Sequence, residues 1–452
     1  MDLFVTLFNS FRSIVWGPPL LILLLGTGIY LTFLLRGIQF RELRRAFSLM
    51  FKGGSSKSEG DISSFQALMT GLAGAIGTGN IAGIATAVTV GGFGALFWMW
   101  VITLLGMATS YAEALLAVKY RKVSDTGEIS GGGMQTMERG LGAKWLAISF
   151  ALFGSIAAFG IGSTVQSNSV GDALRSFYGI DPFWTGLVMM LITGFVVLGG
   201  IQSIGRVSGI LVPFMALFYV VAGIIILIIK AAYIPEALSM IITSAFTGQA
   251  ATGGFLGSTM LMAMQMGISR GVFSNESGLG SATFASSAAK TNQPVEQALL
   301  TMTGTFLSTM VVCTITGLVL AVTDVQGLLG PDGRALNGAP MAIVAFNSVL
   351  TGGKEIVLIG LALFAYSTVL AWAYYGEKCI EYLVGSRWIF PYRVIYTLLV
   401  LPGAILPLEL IWAFADAANG LMALPNLVSI LFLSQVVVAE TNKYFSREKL
   451  PV

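Results

Sequence analysis

Long apolar runs separated by short polar stretches dominate this 452-residue chain. A run of about 18 or more apolar residues predicts a transmembrane helix, because roughly 20 residues cross about 30 Å of hydrocarbon. Eleven such stretches are predicted. They run Trp16 to Leu35, Phe65 to Val90, Phe93 to Val118, Trp145 to Val170, Phe183 to Ile201, Ser208 to Ile229 and Phe255 to Ala285, then Ala298 to Val322, Ile356 to Gly376, Val394 to Leu408 and Trp412 to Val438. The predicted fold class is an all-α integral membrane protein. Ahead of the first span, Leu3, Phe4, Leu7, Phe8, Phe11 and Ile14 line one face of a short amphipathic helix expected to lie in the membrane interface. No basic stretch of the kind that opens a cleavable signal peptide precedes it.

Two predicted spans break the apolar pattern in mid-membrane. The second reads Gly71-Leu-Ala-Gly-Ala-Ile-Gly-Thr-Gly-Asn80, and the seventh reads Gly267-Ile-Ser-Arg-Gly-Val-Phe-Ser-Asn-Glu-Ser-Gly-Leu-Gly280. Glycine costs a helix interior about 1 kcal/mol, so both stretches are expected to unwind near the bilayer midplane. Tight helix packing of the small-xxx-small kind is the competing explanation. Packing alone does not call for Thr78, Asn80, Ser269, Arg270, Asn275 and Glu276 in lipid. Five spans separate the start of one broken helix from the start of the other, so the two cross in opposite directions. That is the pattern of a 5+5 inverted repeat whose first and sixth core helices are discontinuous. Such breaks supply half-helix N-termini for a carboxylate and unwound carbonyls for a small cation, without a charged side chain.

Composition narrows the chemistry further. Charged residues make up 10% of the chain and histidine is absent, which removes Ser-His-Asp triads and His-ligated zinc or haem. Cys313 and Cys379 both fall in apolar stretches and read as small buried hydrophobes. Glycine, at 55 residues against 13 prolines, is the marked excess.

Lysine and arginine then set an orientation. Arg36, Arg41, Arg44, Arg45, Lys52 and Lys57 follow the first span, and Lys119, Arg121, Lys122, Arg139 and Lys144 follow the third. Placing these loops in the cytoplasm puts Arg206, Lys290, Lys378, Arg387, Arg393, Lys443, Arg447 and Lys449 there too, leaving Arg12, Arg175, Lys230, Arg334 and Lys354 outside and Arg270 within a span. The expected topology has an external N-terminus and a cytoplasmic C-terminus in the cell membrane. The net charge of +3 therefore reports orientation and no nucleic-acid partner.

The third span begins Gly91-Gly-Phe-Gly-Ala-Leu-Phe-Trp-Met-Trp-Val-Ile-Thr-Leu-Leu-Gly106, which resembles the signature of the alanine or glycine:cation symporters. The run from Arg270 to Ser281, followed by Ala289-Lys-Thr291 and Pro294-Val295, is similar to a second block of that family. One departure is Ala282-Thr283, where many members have Ala-Pro. The resemblance implies the leucine-transporter fold, a ten-helix core preceded by one extra helix. It also implies sodium-coupled uptake of a small neutral amino acid, alanine or glycine, by alternating access, with Na⁺ as coupling ion; no organic cofactor is expected, and no soluble domain or ligand motif in the sequence suggests an obligatory protein partner. The corresponding segments are 1–64 (peripheral helix and basic loop), 65–230 and 255–440 (the two repeats), 231–254 (external connector) and 441–452 (tail).

Carried over position by position, the resemblance places the substrate carboxylate at the Gly77-Thr78-Gly79-Asn80 break, on the amides of Thr78 and Gly79. It assigns one sodium to the carbonyls of Ala73, Ile76 and Phe364 with the hydroxyls of Ser367 and Thr368, and a second cation position to Ala75 and Asn80. Gln265, the backbone near Ile268 and Ser269, and Gln166 are the candidates for the substrate ammonium. Simple hydroxyl-to-carbonyl bonding within a helix is the plainer explanation of Ser367 and Thr368, and interhelical packing that of Gln166. Intramembrane charges are costly and usually paired or functional. Arg270 and Glu276 are expected to pair with each other, and Asp416 to be a gate, a titrating group or an external-end residue; for Glu113 the resemblance implies binding to the unwound amides of the seventh span. Proton coupling in the same fold is the alternative. The resemblance associates it with a lysine on the fifth core helix, and Ser208 to Ile229 contains none. Paired acids for an enzyme, or a repeated pore motif for a channel, are not visible.

Overall fold

A computed structural model describes residues 14–51, 58–124, 127–247, 260–329 and 335–448. The amphipathic segment expected over Leu3 to Phe11, together with Arg12, Lys52, Lys57, Arg334 and Lys449, lies outside the described residues. The chain is mostly helical. Helix α1 is Pro18–Leu34, and α2 is Ser64–Ala75, entered through a capping box in which Ser63 and Gln66 satisfy each other's backbone N–H. One 3₁₀ turn, Thr78–Asn80, joins α2 to α3, Ala82–Gly91. There follow α4 (Gly94–Tyr120), α5 (Lys144–Tyr178, with a π segment at Ala158–Thr164), α6 (Pro182–Val197), α7 (Gly200–Ile229) and α8 (Ile234–Thr247). Beyond them lie α9 (Met260–Asn275), α10 (Ala282–Ser287) and α11 (Pro294–Thr323, with a π segment at Phe306–Cys313). The chain continues through α12 (Gly338–Asn347), α13 (Gly353–Val384), α14 (Ile389–Ile405), α15 (Leu408–Phe432) and α16 (Ser434–Glu448).

Among the described residues, seven helices are both long and apolar enough to cross a membrane by themselves. Of the most apolar stretch of α4, 83% is buried, against 33% in α7 and in the helix ending at Ile405. The first belongs to the middle of the bundle and the others to its rim. Rim helix α7 presents Ile210, Phe214, Leu217 and Ile228 outward. A bare apolar face of this length suits acyl chains rather than water.

Three differences from the expected elements have simple causes. Helix α8 occupies part of the segment expected as a bare connector. It packs on the start of α4, where the Trp98 indole donates to the Ala245 carbonyl at 3.2 Å and the rings of Phe97 and Phe246 lie 5.0 Å apart. Helix α12 escapes a hydropathy reading because ten residues fall below any spanning length; it is stabilised by burying Met341, Ile343 and Phe346. The stretch expected over Trp412 to Val438 divides at Leu433 into α15 and α16.

The second broken helix unwinds later than expected. Helix α9 runs unbroken through Gly267 and Gly271 to Asn275. Those two glycines, four residues apart, are contact points with α4: a Cβ on Gly267 would collide with the Ala95 carbonyl, and one on Gly271 would come within 2.8 Å of Ile102. Packing therefore accounts for the first half of the motif. Unwinding is confined to Glu276–Ser281, where Glu276, Gly278 and Gly280 have φ of 59°, 86° and 79°. Gly71, by contrast, faces open space, and a Cβ added there would meet no atom within 4 Å. Gly267→Ala should therefore overpack the α9–α4 contact and destabilise the protein by about 1–3 kcal/mol. Gly71→Ala should be neutral or stabilising by up to about 1 kcal/mol. Thermal unfolding in detergent checks both, and equal midpoints would refute the distinction.

Candidate functional site

Ending α2 at Ala75 leaves backbone groups without helical partners, and side chains meet them. The Gly77 N–H donates to Asn80 Oδ1 at 3.0 Å, so the Ala73 carbonyl loses its helical donor and accepts the Thr368 hydroxyl at 2.8 Å instead. Ser367 on the same turn of α13 lies 3.5 Å from the carbonyls of both Ala73 and Ile76, and donates to the Phe364 carbonyl at 2.9 Å. Thr368 Oγ1 is 3.5 Å from the Ile76 carbonyl. Three carbonyls and two hydroxyls, all five sequence-predicted oxygen donors, thus converge on one buried point. Neutral oxygens of this kind suit a hard monovalent or divalent cation. The hydroxyls can turn their lone pairs inward when a cation replaces their hydrogen bonds to the carbonyls.

On the other side of the break, the Thr78 N–H donates to Gln166 Oε1 at 3.1 Å. Gln166 Nε2 in turn donates to the Ile161 carbonyl, within the π segment of α5, at 2.9 Å. An acceptor oxygen already sits at the N-terminal side of the 3₁₀ turn, where a carboxylate would find an N–H donor. Gly79 faces Phe273, whose ring would lie 2.8 Å from an added Cβ.

Asn80 joins the first break to α9 and α11. Its amide nitrogen donates to Ser274 Oγ at 2.9 Å, to Ser308 Oγ at 3.0 Å and to the Ser308 carbonyl at 3.1 Å, with Cys313 Sγ at 3.2 Å. Ser308 Oγ also reaches the carbonyls of Ser274 at 2.6 Å and Ala75 at 3.3 Å. Sequence reasoning does not single out Ser274 or Ser308, and reads Cys313 only as a small buried hydrophobe. Their signal is faint: Ser308 is one of many hydroxyls along α11, among them Thr301, Thr303, Thr305, Thr309, Thr314 and Thr316, and it lies within the π segment that faces Asn80.

Glu113 meets the second break as expected. Its Oε1 accepts the Gly280 N–H at 3.1 Å and the Asn426 amide, which also donates to the Gly278 carbonyl at 2.9 Å. The expected Arg270–Glu276 pair does not form. Arg270 makes a two-pronged ion pair with Asp416, at 3.0 and 2.6 Å, with its guanidinium 4.7 Å from the centre of the Trp412 ring. Glu276 accepts from the Trp372 indole at 2.8 Å and from Ser281 Oγ at 2.9 Å. The helix explains the change. Because α9 stays intact past Arg270, that side chain projects from regular helix toward α15, while Glu276 lies beyond the last turn at a left-handed residue.

The same continuity separates the remaining candidates from the break. Gln265 is ten residues before the end of α9, ~15 Å along its axis, and its amide donates to the Trp16 carbonyl at 2.9 Å. Ile268 and Ser269 lie in regular helix, with Ser269 Oγ directed to the Met266 carbonyl at 3.3 Å. The structure therefore gathers Ala73, Ile76, Gly77, Thr78, Gly79, Asn80, Gln166, Phe364, Ser367 and Thr368, and leaves Gln265, Ile268 and Ser269 outside that group.

Both approaches to the breaks are closed. On one side lie the Arg270–Asp416 pair and the rings of Phe273 and Trp412, 5.1 Å apart. On the other, the Arg121 guanidinium donates to the carbonyls of Glu59, Ser287, Ala289 and Thr291 at 2.7–2.8 Å. Burial depresses the Arg121 pKa, with nearby Glu59 and Asp61 opposing that shift.

Comparison with known proteins places this geometry. The family model described as the sodium:alanine symporter family matches residues 1–451. The sodium/alanine symporter AgcS of Methanococcus maripaludis is 53% identical over 98% of this chain and 97% of its own. The putative sodium/proton-dependent alanine carrier protein YrbD of Bacillus subtilis is 35% identical over 97% and 92%, and the probable sodium/glutamine symporter GlnT of the same organism 34% identical over 97% and 90%. Among solved structures, MhsT in complex with L-phenylalanine superposes with a TM-score of 0.63 at 16% identity, over 85% of this chain and 93% of that one. The fold is that of the leucine-transporter type.

The Arg270–Asp416 pair carries a direct test. Asp416→Asn leaves a buried guanidinium without its counter-charge and should cost about 3–5 kcal/mol in unfolding experiments. Replacing both residues together, Arg270→Met with Asp416→Leu, should cost clearly less. A double variant as unstable as the single one would show that the pair does not account for the loss.

Proposed function

The chain belongs to the sodium:alanine symporter family, and on that premise we propose that it imports a small neutral amino acid, alanine or glycine, together with Na⁺ by alternating access. The observation that carries this reading is the convergence of the Ala73, Ile76 and Phe364 carbonyls with the Ser367 and Thr368 hydroxyls beside a half-helix start. These five oxygens would hold Na⁺, and Ala75 with Asn80 would face a second cation position. Substrate carboxylate would bind at Gly77–Asn80, taking over the Thr78 N–H from Gln166, whose released amide oxygen becomes available to the ammonium. The absence of a spare charged group among the gathered residues favours a neutral side chain. Binding of ion and substrate couples because both use backbone of the same break. Transport then requires the Arg270–Asp416 pair and the Arg121 clamp to open in turn.

The reading includes eleven membrane crossings, in which 65–230 and 255–440 form the two inverted repeats after a peripheral helix. Its orientation has the N-terminus outside and the C-terminus in the cytoplasm, as the lysine and arginine distribution favours. One Na⁺ entering at about 100 mV supplies about 2.3 kcal/mol, and a tenfold gradient about 1.4 kcal/mol more. Together they allow roughly a few hundredfold accumulation.

Alanine uptake into proteoliposomes under imposed Na⁺, K⁺ or proton gradients tests the reading. Uptake should follow the Na⁺ gradient. Indifference to Na⁺ with a response to pH would replace it by proton coupling. In the same assay Thr368→Ala should raise the Na⁺ concentration for half-maximal uptake roughly tenfold, the equivalent of about 1.4 kcal/mol. An unchanged value would remove Thr368 from the ion site.

A further inference from the structure

A cavity of about 420 Å³ opens where α5 begins and α13 ends, away from the two helix breaks. Its size lies within the range of small-molecule sites, and its polar groups are layered. At the floor is Gln135, 1% exposed, whose Nε2 reaches Ser130 Oγ at 3.4 Å while its Oε1 has no hydrogen-bond partner. A buried carbonyl oxygen without a donor is costly, so the floor calls for a ligand that donates an N–H or O–H. The walls carry two carboxylates, Glu138 and Glu381, each using Oε2 in its bond, the first with the Tyr382 hydroxyl and the second with Lys378. Two lysines, Lys122 and Lys144, stand at the rim. The order from inside to outside is an acceptor, two anions, then two cations, which matches a zwitterion entering with its ammonium first and its phosphate last.

The surroundings of the mouth identify the source of such a zwitterion. Trp145, Ile148 and Leu152 are 71%, 43% and 47% exposed and follow one another along a single face of α5, leading from the rim into the apolar part of the span. Across the mouth, Val384 and Trp388 are also about half exposed. Exposed tryptophans at the ends of two apolar spans mark the depth of the lipid headgroups. A soluble ligand has no use for that stripe, whereas two acyl chains would run along it. We propose that this cavity binds the headgroup of a phospholipid carrying a primary ammonium, with phosphatidylethanolamine as the type. The ammonium meets Gln135 Oε1 and the wall carboxylates, and the phosphate meets Lys122 and Lys144.

Native mass spectrometry of the delipidated, full-length protein tests this with three lipids of identical acyl chains. Phosphatidylethanolamine should be retained roughly tenfold more tightly than phosphatidylcholine, whose quaternary ammonium has no N–H, or phosphatidylglycerol, which lacks a cation; this is the scale of one charge-assisted hydrogen bond. Gln135→Met should reduce the preference over phosphatidylcholine severalfold, the wall carboxylates keeping the remainder, and Lys144→Ala, at an exposed position, should weaken retention of all three lipids without depending on repacking of the floor. Equal retention of all three lipids overturns the proposal, as does a preference over phosphatidylcholine undiminished by Gln135→Met, or a retention unchanged by Lys144→Ala. Soluble glycerophosphoethanolamine is the remaining arm. Competition by it at the concentration of the lipid would assign the site to a soluble zwitterion and overturn the membrane source.

Discussion

A helix broken inside a membrane exposes N–H and C=O groups that no water can satisfy, and each left unpaired costs several kcal/mol. The architecture around Ile76–Ile81 and Glu276–Ser281 answers that constraint with side chains from elsewhere in the chain. Asn80 and Gln166 take the N–H groups of Gly77 and Thr78, and Thr368 takes the carbonyl of Ala73. Glu113 and Asn426 do the same for Gly280 and Gly278. The groups that make the breaks tolerable are also the groups a substrate or ion would have to displace. Stability of the closed form and the capacity to bind therefore draw on the same hydrogen bonds.

Irregular helix supports two of these contacts at the first break. The π segment in α5 carries the Ile161 carbonyl that holds Gln166, and the π segment in α11 carries Ser308, which holds Asn80. Widened turns of this kind are frequent at functional sites because they redirect side chains without ending the helix. Elsewhere the bundle relies on close approach instead. Gly267 and Gly271 let α9 lie against α4, so the regular part of α9 holds the irregular part in place.

Charge is placed at the two ends of this assembly and treated differently at each. Arg270 and Asp416 neutralise one another in a buried, two-pronged pair backed by Trp412, and the Trp16 indole also holds the Asp416 carbonyl at 2.8 Å. That pair links α9 to α15 and, through Trp16, to the start of α1. Among the described residues Arg121 has no carboxylate hydrogen-bond partner and instead gathers four carbonyls around the end of α10. The two closures therefore differ in chemistry as well as in position: one is a buried ion pair, the other a set of charge-assisted bonds to backbone carbonyls.

Hydropathy along the chain was enough to place long apolar helices such as α4, α7 and α13, since the requirement to cover lipid is local and additive, but not α8 or the ten-residue α12. The Gly-Thr-Gly-Asn motif located the first break because glycine and a capping asparagine act within a few residues of themselves. The five oxygens around Ala73 and Thr368 were legible only through resemblance to a family, as no local rule links positions almost three hundred residues apart. The second break showed the limit of local reasoning: Gly267 and Gly280 look alike in sequence, yet one meets the Ala95 carbonyl across a helix contact and the other turns the chain at positive φ. Arg270 likewise found its partner on α15, not six residues along its own chain. Which glycine packs, which one bends and which acid meets which base depend on what lies opposite in space, and only the tertiary structure decided them.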